Sequence, residues 1–373
     1  MFLCDTGWNV LEYGLNKLMA SIDCKSMPHI NKDKSGENKM KVDGELPMGM
    51  GKTVERIGQL VEAGYTGAQT IETGHDPFLP LVLAAEHSKD IDLITAIAVA
   101  FARNPMNLAA LGNDLNAYSE GRFILGLGSQ IKAHIEKRFS MPWSKPAARM
   151  REMIMAMQAI WATWYEGEPL DFRGEFYKHT LMTPMFTPET SQYGPPRVFI
   201  AAVGPMMTEV AADLCDGMLV HPLTTTHYLK EHTLPIIESG LAKRGLSRGD
   251  FELSYPVFVV SGQNEEEFNK ANTAIRERIA FYASTPAYKR VLQAHGWETL
   301  QPELNQMSKR GQWVEMGTLI DDDILNAFAV VGEPKDIVPQ IKQRYTGLVD
   351  RITINFSYAP PEQRPELIKE LAS

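Results

Sequence analysis

The sequence predicts an α/β fold, a closed (β/α)8 TIM barrel, on three observations. From Met40 onward, apolar runs of strand length alternate with longer segments whose apolar residues recur at helical spacing. Most of the short runs are apolar at successive positions, as strands covered on both faces must be. Strands separated by helices join as parallel crossovers, and eight such units without a strand-order signal favour closure over an open doubly wound sheet.

MKVDGEL reads as the first strand and KTVERIGQLVEAGY as the helix behind it. GAQTIET and IDLITAIAV are the second and third strands, each followed by a helix that opens on proline, PFLPLVLAAEHS and PMNLAALGNDLNAYS. Proline fits there because its missing N–H has no helical partner in the first turn. RFILGLG is the fourth strand and leads to the long helix PAARMREMIMAMQAIWATWY; RVFIAAV, the fifth, leads to PMMTEVAADLC. GMLVHPL precedes HYLKEHTLPIIESGLAKR, FELSYPVFVVSG precedes NEEEFNKANTAIRERIAFYA, and KDIVPQIKQRY delivers the last strand, VDRITINF.

Two stretches interrupt the repeat, as insertions after strands 4 and 7. Residues 167–196 are rich in Pro and Gly and are expected to form a β-hairpin excursion before the fifth strand. Residues 284–318 are expected to add helices at a strand's carboxyl end, where a lid would sit. Residues 1–39, with the polar run HINKDKSGENK, are expected to be a mobile extension ahead of a single barrel domain at 40–373.

Composition narrows the function. A net charge of −9 argues against nucleic acid or an anionic membrane as partner and leaves a small-molecule substrate. No apolar run reaches the roughly 20 residues of a membrane span. The start MFLCDTGWNVLEYG lacks the basic and apolar regions of a signal peptide. Cys4, Cys24 and Cys215 share no disulfide or zinc spacing, so a reducing cytoplasm is expected.

Barrels keep their chemistry just past the carboxyl ends of the strands. The candidates there are Asp43 and Glu45; Glu72, Thr73 and His75; Arg103; Ser129, Gln130 and His134; Gly204 and Pro205; and His221. The Gly204-Pro205 turn opens a helix whose first N–H groups, on Met206, Met207 and Thr208, suit a phosphate. The GLGSQ loop at 126–130 resembles a dinucleotide fingerprint, but Ile131 stands where a third glycine would be needed. Lys132, His134, Lys137 and Arg138 place positive charge beside that loop, suited to an acidic ligand. No metal site is expected, because neither H-x-H nor H-E-x-x-H occurs. No G-x-S-x-G elbow appears either, and Cys215 reads as core.

TAIAVAFARNP followed by NLAALGNDLNAYSEGRFILGLGSQ, together with VFIAAVGPMMTEVAADLCDGMLV, resembles the luciferase-like monooxygenase superfamily from about Met40 to Phe356. Those proteins are α/β barrels using reduced flavin or deazaflavin. ETGHDPFLPLVLAAEH, GLGSQIKAHIEKRFSMPWSKPAARMREM and FYASTPAY are similar to the branch assigned coenzyme F420. The resemblance implies that the cofactor phosphate rests on Ala202, Gly204, Pro205, Met206 and Met207, and that the ring is backed by a cis peptide at Ala96–Ile97. It also implies that Gly126, Gly128, Ser129 and Gln130 follow the ribityl chain and that His134 and Arg138 reach the phosphate or an acidic tail. Ile131 replaces a carboxylate of the sugar-phosphate-oxidising relatives, which argues against such a substrate.

The expected reaction is hydride transfer between F420 and a small organic substrate, with His75 or Glu72 handling the proton and Asp43 beside them. Phe281, Tyr282, Tyr288, Trp297 and Trp313 are candidates to close the pocket, with helix packing the alternative for the tryptophans. The rival readings are an FMN-dependent monooxygenase served by a partner flavin reductase, and a non-catalytic flavin-binding barrel. A homodimer is expected from the resemblance.

Overall fold

The computed structural model describes residues 39–373; the expected N-terminal extension lies outside them but for Lys39. Thirteen strands follow in order: β1 Lys41–Glu45, β2 Gly67–Thr70, β3 Asp92–Thr95, β4 Ala98–Val99, β5 Phe123–Gly128, β6 Phe172–Arg173, β7 Lys178–His179, β8 Arg197–Ala202, β9 Gly217–Val220, β10 Glu252–Pro256, β11 Phe258–Val260, β12 Ala329–Val331 and β13 Arg351–Thr353. Eight of them close a parallel barrel in the order β1, β2, β3, β5, β8, β9, β10, β13 and back to β1. This is the predicted (β/α)8 barrel, and each of the eight expected strands supplies one stave.

The third stave is interrupted. The Ala96–Ile97 peptide is cis, and β4 resumes beyond it to pair with the end of β5. At the break the Thr95 side chain replaces the ladder, its hydroxyl donating to the Gly126 carbonyl at 2.8 Å and accepting from the Gly126 N–H at 2.9 Å. The staves approach so closely that a Cβ on Gly126 would lie 1.8 Å from the Thr95 carbonyl oxygen. Only glycine fits there.

The barrel interior is layered from its amino end. Lys41, Asp92, Arg197, Glu252 and Arg351 are the first residues of their strands. With Asp43 they form an ionic floor in which Arg351, fully buried, donates to Asp43 at 2.8 and 3.0 Å, to Glu252 at 2.6 Å and to Asp92 at 3.0 Å. Arg197 and Lys41 bridge the same Asp92 and Glu252, so three cations answer three carboxylates. Above the floor Ile94, Ile124, Phe199 and Leu219 make an apolar plug, and on it lie the smaller Ala96 and Ala201, with Ile97. The plug separates the charges from whatever occupies the mouth.

Residues 167–196 contain the expected antiparallel hairpin, β6 with β7. The carboxylate of Glu152, on the helix Pro146–Glu166, accepts N–H bonds from Glu175, Phe176 and Tyr177 at 2.6–2.9 Å and ties the hairpin to that helix.

The insertion after the seventh stave is larger than predicted. FELSYPVFVV splits at Val257, whose N–H still bonds the Thr353 carbonyl. β11 then leaves the barrel to pair with β12. The helix Glu265–Ala283, expected as barrel helix seven, instead opens this excursion; the helix Pro334–Tyr345 precedes the last stave. The excursion has its own apolar core, including Val260, Ile279, Leu292, Leu304, Met316 and Phe328. A closing helix, Arg364–Leu371, was not anticipated from the sequence. No helix among the described residues is long and apolar enough to cross a membrane.

Candidate active site at the barrel mouth

A cavity of about 2220 Å³ opens at the carboxyl ends of the staves. It continues from the mouth along the helices Thr53–Ala63 and Arg364–Leu371, and exceeds the roughly 300–1,000 Å³ of a single drug-sized ligand. Its lining includes Ala96 and Ile97 from the third stave, Gly128, Ser129 and Gln130 from the fourth, and Ala202, Gly204, Pro205, Met206 and Met207 from the fifth. These are ten of the predicted cofactor positions.

The fifth stave ends where the helix Pro205–Leu214 begins, with Gly204 as its N-cap. Thr208 closes the first turn by donating N–H and hydroxyl to the Gly204 carbonyl, both at 3.1 Å. The expectation of three outward donors is therefore corrected to two, Met206 and Met207. Gly204 has no side chain to cap them, and a Cβ added there would meet nothing within 4 Å. The helix N-terminus thus faces open space, the arrangement that binds anions. Arg290 lines the same cavity and a smaller one of about 230 Å³ bounded by Pro205, Thr208 and Tyr228, and its guanidinium makes no hydrogen bond or ion pair with a described residue. Small residues at Ala96, Gly128 and Ala202, an uncapped helix start and a free guanidinium fit a flat ring carrying a phosphate.

Other predicted positions fall elsewhere. Gly126 is inside the wall, where it permits the close approach of the third and fourth staves. His134 and Arg138 lie at the exposed helix Lys132–Lys137 and its end, outside the cavity lining; Arg138 donates to the Thr73 carbonyl.

The three predicted proton carriers do not meet at the mouth. Asp43 belongs to the ionic floor, fully buried on Arg351, because β1 runs two residues past it before ending. Glu72 is buried, and its carboxylate accepts from the Val99 N–H at 2.6 Å and from Arg103 at 2.7 Å. It braces the chain just beyond the cis peptide. His75 is exposed on the loop after β2, outside the cavity lining, without a hydrogen bond to a described residue.

The histidine that does face the cavity is His221, just past the end of β9; Glu45 also lines it. Its ring stacks on Tyr288 at 4.2 Å between centroids and meets the edge of Tyr282 at 4.8 Å. Nδ1 accepts the Leu223 N–H at 3.1 Å. Burial pulls the imidazole down to about 4 and pushes the Tyr288 phenol up to about 12, with Tyr282 adding to the effect. The sequence shows His221 directly after a strand, but nothing in it shows that two tyrosines of the insertion cover this histidine and none covers His75. Of the five aromatics proposed for closure, Tyr282 and Tyr288 line the cavity. Trp297 stacks on His295 at 4.4 Å, and Trp313 packs on Phe281 at 5.9 Å, outside that lining. Among the described residues no group of His, Cys, Asp and Glu is placed to hold a metal ion.

A family model described as luciferase-like monooxygenase matches residues 34–351. An uncharacterized protein of Mycobacterium tuberculosis is 51% identical over 327 residues, 88% of this chain and 96% of that protein. A 5,10-methylenetetrahydromethanopterin reductase of Archaeoglobus fulgidus is 28% identical over 76% of this chain and 82% of its own. The structure of a coenzyme F420 dependent tetrahydromethanopterin reductase from Methanopyrus kandleri superposes with a TM-score of 0.70 at 21% identity, covering 90% of this chain and 97% of that one.

Proposed function

This chain belongs to the luciferase-like monooxygenase family, and we propose that within it the protein transfers hydride between the deazaflavin coenzyme F420 and a small organic substrate. The observation that carries the reading is the open helix start at Gly204, which shares one large cavity with the Ala96–Ile97 bulge of the third stave. The choice of deazaflavin over FMN is supported by the reductase relatives and by the F420 named for the Methanopyrus structure.

When bound, the coenzyme supplies a ring that carries two electrons and a hydrogen as hydride. The Met206 and Met207 N–H groups and Arg290 hold its phosphate, and the helix dipole adds to their attraction. Ala96 and Ile97 back the ring, while Ser129 and Gln130 follow the chain between ring and phosphate. Glu72 acts at one remove, fixing Val99 and Arg103 so that the bulge keeps its shape. His75, exposed beyond the second stave and outside the cavity lining, takes no part in this reading. Fluorescence titration with F420 and FMN side by side tests the reading. Tight binding of F420 with weak FMN is expected; preference for FMN would replace it with a reductase-fed monooxygenase, and binding of neither would overturn it.

A further inference from the structure

We propose that His221, clamped by Tyr282 and Tyr288, is the hydrogen-bond donor that orients the substrate, and that the substrate accordingly presents a carbonyl oxygen on a compact, largely apolar body. The proposal rests on the cofactor placement above, which leaves the sixth and seventh staves as the substrate's side of the cavity.

Three observations converge on the donor. The Leu223 N–H occupies the lone pair of Nδ1, which fixes the ring's rotation and leaves the single proton of a neutral imidazole on Nε2. Burial keeps the ring neutral near pH 7. Nε2 has no partner among the described residues, while the residue lines the cavity. A neutral N–H of fixed direction is suited to a neutral acceptor such as a ketone or conjugated carbonyl, whereas a carboxylate or phosphate would be better served by the Arg290 guanidinium.

The walls around it set the rest of the chemistry. Tyr288 covers one face of the imidazole, and Tyr282 meets its edge. Phe258 lies parallel to Tyr282 at 6.5 Å. Both tyrosines come from the insertion, so the barrel contributes the donor and the insertion contributes its orientation. A donor held on two sides loses little freedom when it binds, which favours a directed hydrogen bond over a loose one.

The test compares cyclohexanone with methylenecyclohexane, which has the same shape but a CH2 in place of the oxygen. Titrations of the full chain, with and without F420, follow the Nε2–H signal of His221 by nitrogen-detected NMR, assigned by its loss in His221→Gln. Cyclohexanone is expected to move that signal and methylenecyclohexane to leave it in place. The cyclohexanone-to-methylenecyclohexane affinity ratio should fall about tenfold in His221→Leu, the scale of one lost hydrogen bond. It should recover in His221→Gln, whose amide N–H reaches the same position. An unmoved signal in the unsubstituted protein would overturn the proposal and needs no variant to fold. Equal ratios in unsubstituted protein and His221→Leu would overturn it too. F420 binding without carbonyl selectivity would sink this inference alone, whereas selectivity without F420 binding would sink the cofactor assignment and leave the donor standing.

Discussion

Two glycines in the same barrel should respond to substitution in opposite ways. At Gly204 the backbone is extended, φ −87° and ψ 159°, a conformation open to any residue, and an added Cβ meets nothing within 4 Å. Gly204→Val should therefore fold, at a cost of up to about 1 kcal/mol for a poorer N-cap. Its branched side chain would stand in front of the Met206 and Met207 N–H groups and keep a phosphate away. A hydrogen bond to a charged group contributes about 1.5–3 kcal/mol, so losing the pair with partial compensation costs about 3 kcal/mol, or a roughly 150-fold weaker Kd. At Gly126 the same exercise puts a Cβ 1.8 Å from the Thr95 carbonyl oxygen and 2.9 Å from Leu219. Gly126→Ala must separate two staves, and its destabilisation should reach or exceed the top of the usual overpacking range of about 1–3 kcal/mol. Urea unfolding followed by circular dichroism measures the stabilities. Fluorescence titration with F420, FMN and phosphate-free riboflavin measures binding, and only the phosphate-bearing ligands should weaken in Gly204→Val. Unchanged F420 and FMN affinity in that variant would refute the phosphate site; unchanged stability in Gly126→Ala would refute the account of barrel closure.

Other outcomes follow from the same geometry. Arg351→Met removes the centre of the ionic floor and strands Asp43 without its partner; a loss of about 3–5 kcal/mol is expected in urea, with cofactor affinity unchanged above the apolar plug. The floor also sets acid stability. Burial opposes the charge on Glu252, but Arg351, Lys41 and Arg197 outweigh it and hold the group at about 2, against an ordinary 4.5. Its folded value is depressed, so its contribution is complete above about pH 4.5 and is lost as pH falls towards 2; Asp92, lowered by the same cations, acts in the same direction. Unfolding midpoints that stay flat between pH 5 and 3 would contradict this. Glu72→Ala should cost about 1–3 kcal/mol by leaving the buried Val99 N–H unpaired and taking one carboxylate from Arg103, which keeps Asp76, while Glu72→Gln, which keeps an acceptor for the N–H, should lose less than half of that; equal losses would dismiss the brace. Arg290→Gln should weaken F420 binding about tenfold at low salt and less at 0.5 M, as a partly exposed charge pair is screened.

The staves were legible because each one is a local pattern: IDLITAIAV or RFILGLG reads as a buried strand without reference to anything else in the chain. The strand–turn–helix at Gly204-Pro205 was legible for the same reason, since its three parts are contiguous. Asp43 was misplaced because the depth of a side chain inside a barrel depends on its partner, and that partner, Arg351, is 308 residues away. Glu72 was misread similarly: a carboxylate at a strand's end looks available until Val99 and Arg103 are folded onto it. Histidines 75 and 221 both follow strands. What separates them is the insertion, whose tyrosines bury one of the two, and no periodicity in the sequence encodes which loop it covers. β12 escaped notice because three residues, AVV, carry no period of their own.

The second apolar core, built mainly from residues 258–331 with Leu223 and Tyr228, has a consequence for how such a protein can change. In the proposed reading most coenzyme contacts come from the barrel, where Gly126, Thr95 and Glu72 tolerate little revision, and Arg290 comes from the insertion. Tyr282 and Tyr288 belong to a segment packed chiefly on itself, so their neighbours can be exchanged without reopening the staves. A lineage carrying this architecture can inherit one half of its chemistry intact while it experiments with the other.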